Sequence, residues 1–275
     1  MDSLIVKYKN HINELQFKGF TSSDFDFFMY LCAKMKEKDE EVITVTLAEV
    51  RKSSGYFMHV SNSELTEILD SMKDKLQTIK AKFEDGTKRG SFVLFPTLLI
   101  DTKEGTLKVR VNPDFKYLLN NFTQKQKKEG FTKFELQEFV QLNSKYSKTI
   151  YRLLKQFRTT GRYEIQADEL RKLLGCPDCY ENKHIIEKII NPALEELKKD
   201  FRELKCEPIR AGRRGRPIVR YCFTFVPDSK VQNQDQPDGI QNDKPRRGRK
   251  PKKTQFSNFT ERDYDFSELE KLVLS

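Results

Sequence analysis

The chain holds three histidines in 275 residues, His11, His59 and His184, and they lie far apart. Cutting DNA through a tyrosine needs a metal held by clustered ligands, typically paired histidines, and no such pair exists here. The stretch "YRLLK" (Tyr151 to Lys155) does place a tyrosine and a lysine one helical turn apart, but without that ligand set. No GxxxxGK[ST] stretch is present, so ATP hydrolysis has no support. The five cysteines are odd in number and lack a framework spacing, as expected of reduced thiols in a cytoplasm. Long apolar runs are missing as well. The longest, "FVLFPTLLI" (Phe92 to Ile100), is too short to span a bilayer and carries a proline. The N-terminus "MDSLIVKYKNHINEL" lacks the uninterrupted apolar core of a signal peptide. These absences point to a cytoplasmic, non-enzymatic protein with no membrane association, no cofactor and no metal.

What is abundant is positive charge. Lys and Arg number 51 against 41 Asp and Glu, a net +10. Such a balance suggests an anionic partner, most often nucleic acid; a generally lysine-rich cytoplasmic protein is the alternative. The charge is also concentrated. In "IRAGRRGRPIVRY" (Ile209 to Tyr221), Arg210, Arg213, Arg214, Arg216 and Arg220 fall within eleven residues with no acid among them. That repulsion costs stability unless something negative neutralises it.

The sequence repeats itself at an offset of 120. "TVTLAEVRKSSGY" (Thr44 to Tyr56) aligns with "EIQADELRKLLGC" (Glu164 to Cys176), so Glu49, Arg51, Lys52 and Gly55 fall on Glu169, Arg171, Lys172 and Gly175. Each copy reads as a short strand, a short helix and a glycine stop. An amphipathic helix precedes each: "SSDFDFFMYLCAKMKEK", with Ser23 and Asp24 as cap candidates, and "SKYSKTIYRLLKQFR". Another follows: "NSELTEILDSMKDKLQ" and "NKHIIEKIINPALEELKK". Each copy closes with strand, turn, strand. The turns are expected at Lys103-Glu104-Gly105 and at Gly212 to Pro217, and the ends are "VNPD" and "VPD".

Helix, strand, helix, helix, hairpin is the order of a winged helix, a helix-turn-helix with a β-hairpin wing. The expected fold class is α+β, with tandem winged helices at residues 5–125 and 132–228. Residues 229–260 read as a disordered linker, with seven basic residues in the ten of "KPRRGRKPKK". Residues 261–275, "ERDYDFSELEKLVLS", form a short acidic amphipathic peptide.

The second hairpin places its five arginines where a wing tip lies along a DNA backbone or in the minor groove, and arginine suits narrow A·T-rich grooves. The core "GRRGRP" also resembles an AT-hook. A solvated basic turn is the alternative. In the second copy the recognition-helix candidate runs from Asn182 to Ile190. Ile185, Ile186, Ile189 and Ile190 form its apolar face. Asn182, Lys183, His184, Glu187 and Lys188 are free to meet base edges or phosphates. Pro192 predicts a kink, or a new helix capped by Asn191. Lys145, Lys148, Arg152 and Lys155 share one stripe of the helix from Ser144 to Arg158, as phosphate contacts or as a solvated face. In the first copy, Asn62, Ser63, Thr66 and Lys73 are the corresponding DNA-contact candidates. "CPDC" (Cys176 to Cys179) invites a zinc reading, but structural zinc usually shows two ligand pairs and this chain shows one.

The chain resembles the RepB/RepE-type plasmid replication initiators over roughly residues 5–228. The resemblance rests on "LQFKGFTSSDFDFFMYLCAKM", "SKYSKTIYRLLKQFR", "ADELRKLLGCPDCYEN", "IINPALEELKK" and "RGRPIVRYCFTFVPD". It implies two winged-helix domains that bind repeated origin sequences called iterons, and monomers that initiate alongside dimers that repress the initiator's own gene. It also implies DNA contact by Asn182 to Lys188 and by Arg210 to Arg220. The terminal peptide is similar to C-terminal peptides of some Firmicute replication proteins, which implies contact with a host initiator, a replicative helicase or its loader. A double winged-helix repressor and a rolling-circle nicking enzyme are the alternatives.

Overall fold

Residues 120 apart in sequence take the same secondary structure. In the first copy, β2 (Val42–Thr46) runs straight into α2 (Leu47–Ser53), and a turn leads to α3 (Asn62–Gln77). In the second copy, β8 (Arg162–Gln166) runs into α7 (Ala167–Leu174). A turn leads to α8 (Asn182–Ile185), a π turn (Ile186–Ile190) and α9 (Asn191–Leu197). The computed structural model describes residues 4–36, 42–53, 57, 59–85, 88–113, 116–119, 130–212 and 217–228. The glycine stop expected at Gly55 lies outside the described residues, as do the segments 229–260 and 261–275 and most of the stretch between 125 and 132. Gly175 does close α7, at φ 58° and ψ 46°, a left-handed conformation that side chains disfavour.

Each copy folds its wing onto its short strand. β6 (Thr106–Arg110) pairs antiparallel with both β2 and β5 (Thr97–Asp101), giving the order β2-β6-β5. β10 (Ile218–Thr224) likewise lies between β8 and β9 (Lys205–Arg210). Alternation drives the first sheet: Ile43 and Val45 on β2, and Leu107 and Val109 on β6, turn inward and are buried. The first turn sits where expected, with the Asp101 carboxylate accepting the Lys103 and Glu104 amides at 3.0 and 2.9 Å. The first copy also carries a hairpin that was not foreseen from the sequence and has no counterpart among the described residues of the second, β3 (Lys80–Asp85) with β4 (Lys88–Val93). A single helical turn, α4 (Lys116–Leu119), follows the first wing.

Helix starts follow local chemistry. Before α1 (Ser22–Met35), Thr21 is the cap, not Ser23 or Asp24. Its hydroxyl accepts the Asp24 amide, and the Asp24 carboxylate accepts the Thr21 amide at 2.7 Å. Ser61 and Glu64 make the same reciprocal box at α3, and Ser144 caps α6 (Lys145–Gln156). At Pro192 neither sequence expectation holds in full. Asn191 is not a cap: Ile190 and Asn191 both keep right-handed helical dihedrals, so the helix runs on. The π turn, where the Asn191 amide reaches back to the Ile186 carbonyl, inserts one extra residue immediately before the proline that cannot donate. Its consequence is visible in the buried face. Leu65, Leu69, Met72 and Leu76 of α3 correspond to Ile185, Ile189, Ala193 and Leu197, at offsets of 120 and then 121.

The two copies are not separate beads. β1 (Ile5–Lys9), at the start of the chain, pairs antiparallel with β7 (Phe131–Glu135), with Val6 opposite Phe134 and Tyr8 opposite Thr132. A side chain at Gly130, just before β7, would come within 2.5 Å of the Asn10 amide, and its φ of +72° also favours glycine. Behind β7 come α5 (Leu136–Val140) and α6. A buried apolar core runs through both copies, from Phe17, Phe25 and Phe28 to Phe134, Phe139, Tyr151 and Phe201. Residues up to Asp228 form one compact unit.

Candidate nucleic-acid interface

The second helix-turn-helix presents a mixed cationic and aromatic surface. Glu181 caps α8, and its amide donates to Nδ1 of His184 at 3.2 Å. His184 stacks at a tilt on Tyr180 with centroids 5.8 Å apart, and Lys188 Nζ lies 5.3 Å from the same ring. Lys183 and Glu187 are exposed, 3.9 Å apart, in an i,i+4 pair worth only tenths of a kcal/mol. Asn182 is half-buried at the helix start. Ile185, Ile189 and Ile190 are buried and Ile186 half-buried, so the apolar face holds the helix while Lys183, Glu187 and Lys188 stay outside.

The arginine-rich hairpin shares a sheet with β8, the strand that runs into α7. Arg210 ends β9 and Arg220 lies on β10; both are exposed. Arg213, Arg214 and Arg216 lie outside the described residues. The Ala211 amide donates to the Pro217 carbonyl at 2.9 Å across the hairpin. Glu164 on β8 is an acid that the linear stretch does not contain. Its carboxylate pairs with Arg162 and lies 3.4 Å from Arg220, and the hydrogen bond from Arg162 holds it below the usual glutamate range. The only sequence signal for this was Glu164's place on the strand that pairs with the wing.

Part of the basic stripe on α6 is not a surface. Lys148 and Arg152 are fully buried, which corrects the expectation that they meet phosphates. Lys148 forms a short ion pair with Asp26 of α1 and donates to the Ser22 carbonyl at 3.3 Å. Arg152 donates to the Ile12 carbonyl at 3.1 Å and to Asn13 Oδ1 at 3.3 Å, with its guanidinium 4.8 Å from the Phe17 ring. Burial lowers the Arg152 pKa to about 10. Both cations face the first copy because α6 is flanked by it, which helical spacing alone cannot reveal. Lys145 is half-buried over the Tyr146 ring, and Lys155 pairs with Glu138 at 3.0 Å.

Tyr151 is buried too. Its hydroxyl donates to Glu138 at 2.5 Å, and desolvation pushes its pKa far above the usual tyrosine value, which opposes the phenolate that a nicking nucleophile needs. Among the described residues no three His, Cys, Asp or Glu side chains converge on a metal-sized site. Cys179 is exposed, while burial raises the thiol pKa of Cys176 and pushes that of Cys206 up to about 12.

The first copy offers a different surface. A groove of about 620 Å³ between α3, the start of α2 and the wing turn is lined by Arg51, Asn62, Ser63, Thr66, Glu67 and Glu104 among others. Arg51 fixes the helix-turn-helix from inside, donating to the carbonyls of Phe57 and Val60 and, at 2.6 Å, to Asn62 Oδ1. Asn62 and Ser63 are exposed and Thr66 half-buried, its hydroxyl 3.0 Å from the Asn62 carbonyl; Lys73 pairs with Asp70 at 2.8 Å. This wing bears Asp101 and Glu104 where the other bears arginines.

Comparison with known proteins agrees with this architecture. Two family models match, "Initiator Replication protein, WH1" over residues 5–155 and "Initiator Rep protein, WH2" over residues 166–225. The first therefore extends through α6, whose buried cations reach back into residues 12–26. The chain is 30% identical over 230 residues to a probable replication protein of Bifidobacterium longum (strain NCC 2705), covering 82% of this chain and 74% of that protein. In fold it is similar to the Pi initiator protein solved in complex with iteron DNA, with TM-score 0.59 and 17% identity over 83% of this chain and 99% of that one. Among the described residues no helix is long and apolar enough to cross a membrane. The chain, with its tandem winged helices, belongs to the initiator replication protein family.

Proposed function

We propose that this protein starts plasmid replication by binding iteron repeats in the origin as double-stranded DNA. The observation that carries this reading is the pairing, in one sheet-and-helix unit, of an exposed edge of Lys183, Glu187 and Lys188, with Asn182 and His184 half-buried beside it, and a hairpin whose sequence is rich in arginine. The helix supplies donors and acceptors for base edges, and the wing supplies charge for phosphates. The first copy supports a complementary role. Asn62, Ser63 and Thr66 are neutral hydrogen-bonding groups beside Glu67 and Glu104, suited to contacts on a neighbouring groove that release few counterions.

Several copies bound side by side would strain an adjacent A·T-rich segment, where strand opening costs least. Binding energy then does the work, without catalysis by the protein. The acidic peptide 261–275 on its basic tether recruits the host initiator and the helicase or its loader. A dimeric form represses the protein's own gene, and all of this takes place in the cytoplasm. Footprinting on the DNA upstream of the gene tests the reading: protected tandem repeats support initiation, whereas a single protected operator supports a repressor. A covalent tyrosine–DNA adduct would establish nicking instead.

A further inference from the structure

The α1 helix carries two buried acids two residues apart, Asp24 and Asp26, 3% and 4% exposed. At about 100° per residue, side chains two apart leave a helix on nearly opposite sides. The structure uses this. Asp24 faces α3 and accepts from Lys75 at 2.7 Å, and Asp26 faces α6 and pairs with Lys148. α6 in turn packs against α9, and Glu196 of α9 accepts from the Asn143 side chain, just before α6, at 3.1 Å. A continuous path of ionic and packing contacts therefore runs α3–α1–α6–α9, from one helix-turn-helix to the other.

Apolar faces alone would hold these helices together at little cost in angle or sliding. A buried ion pair is different: its desolvation is recovered only in a narrow geometry, so its benefit lies in register more than in stability. Burial lowers the Lys148 pKa and Asp26 opposes that shift, as expected for a charge retained only because its partner is in place. The polar contacts around it point the same way. Asn13 Nδ2 donates to Thr132 Oγ1 at 2.9 Å and to Gln156 Oε1 at 3.0 Å, tying the first copy to the second across the β1–β7 seam.

We infer that Asp26 and Lys148 are positioning residues: their pair fixes the distance and angle between α3 and α8, and so sets the spacing between the two halves of the DNA repeat that one chain accepts. The spacing part rests on the DNA-binding reading above; the rigidity part does not.

The test uses the full chain. The double variant Asp26→Leu/Lys148→Met replaces the pair with apolar side chains of similar volume, an exchange that buried ion pairs often tolerate. Asp26→Asn, which keeps an acceptor but removes the charge, is the second variant should the first fail to fold. Spin labels on ketone-bearing residues introduced at Ser63 and Lys183 report the helix-to-helix distance without DNA. Wild type should give one narrow distribution and the variants a broad one; a narrow, unshifted distribution in a folded variant overturns the inference. Unlabelled proteins are then titrated on the footprinted repeat and on repeats with one base pair inserted between the halves, a rotation of roughly 35°. Wild type should lose about tenfold in affinity, near 1.4 kcal/mol, and the folded variants no more than about threefold, near 0.65 kcal/mol. Equal losses in both overturn the spacing role. If wild type protects no repeat at all, the DNA-binding reading fails, while the distance measurement still decides the strut.

Discussion

Arg220 on β10 directs its guanidinium at the Glu164 carboxylate of β8, 3.4 Å away, and Glu164 already holds Arg162. One wing arginine, Arg220, therefore already shares a carboxylate of the protein itself with Arg162. Arg220→Ala should flatten the plot of log affinity against log salt by less than the roughly 0.9 expected for each phosphate left without its cation. The triple Arg213→Ala/Arg214→Ala/Arg216→Ala variant should flatten it by up to about 2.7, with the fold intact. A salt titration on one repeat and on unrelated DNA checks both, and unchanged slopes would remove the wing from the DNA.

Asn182 and Lys188 should behave differently from the wing. Alanine at either position is expected to cost about 1–3 kcal/mol on the cognate repeat and little on random DNA. In the first copy, alanine at Asn62, Ser63 and Thr66 should lower cognate affinity while leaving the salt slope unchanged, because none of the three carries charge. Competition binding against mismatched repeats separates the two classes.

The isolated fragment 132–228 should be less stable than the chain through Asp228. Without β1, the edge of β7 is bare, and Lys148 and Arg152 are deprived of Asp26, Ile12 and Asn13 as partners. A bare strand edge invites self-association. Urea unfolding with sedimentation should show a lower midpoint and concentration-dependent mass. A monomeric fragment as stable as the longer chain would contradict this.

Acid should weaken one link of the first copy. Lys34 donates to Glu49 at 2.7 Å and the Thr46 amide donates at 2.9 Å, and these hydrogen bonds lower the Glu49 pKa from 4.5 to about 2. Because the folded-state pKa is depressed, the stabilisation is full above the ordinary glutamate value and disappears as pH falls from about 4.5 towards about 2. The carboxylate is 44% exposed, so its contribution at neutral pH should stay below about 1 kcal/mol. The stability difference between wild type and Glu49→Gln, followed by thermal unfolding across this range, should shrink with the same midpoint.

Alkylation should distinguish the cysteines. Cys179 is exposed, whereas Cys32 and Cys222 are buried and burial raises the thiol pKa of Cys176 and Cys206. Iodoacetamide near neutral pH should modify Cys179 first, the half-buried Cys176 and Cys206 more slowly, and Cys32 and Cys222 only on unfolding, as mass spectrometry of the peptides would show.

The repeat, the order of its elements and the first wing turn were legible in the chain because they are local. Strand alternation and the glycine stop at Gly175 act over a few residues, whereas the cap of α1 lies at Thr21, ahead of the expected Ser23 and Asp24. The exposed edge of the recognition-helix candidate was legible for the same reason: Ile185 and Ile189 at helical spacing leave Lys183, Glu187 and Lys188 outside. What the linear pattern could not decide was which side of α6 meets water. Lys148 and Arg152 share a basic stripe that reads as surface, yet Asp26, Ile12 and Asn13, more than 120 residues earlier, cover it. The β1–β7 pairing and the approach of Glu164 to Arg220 are likewise long-range. A cation's sequence neighbours set its place on a helix; only the packing of distant segments sets its dielectric surroundings and its partner, and therefore whether it serves as a phosphate contact or as a strut.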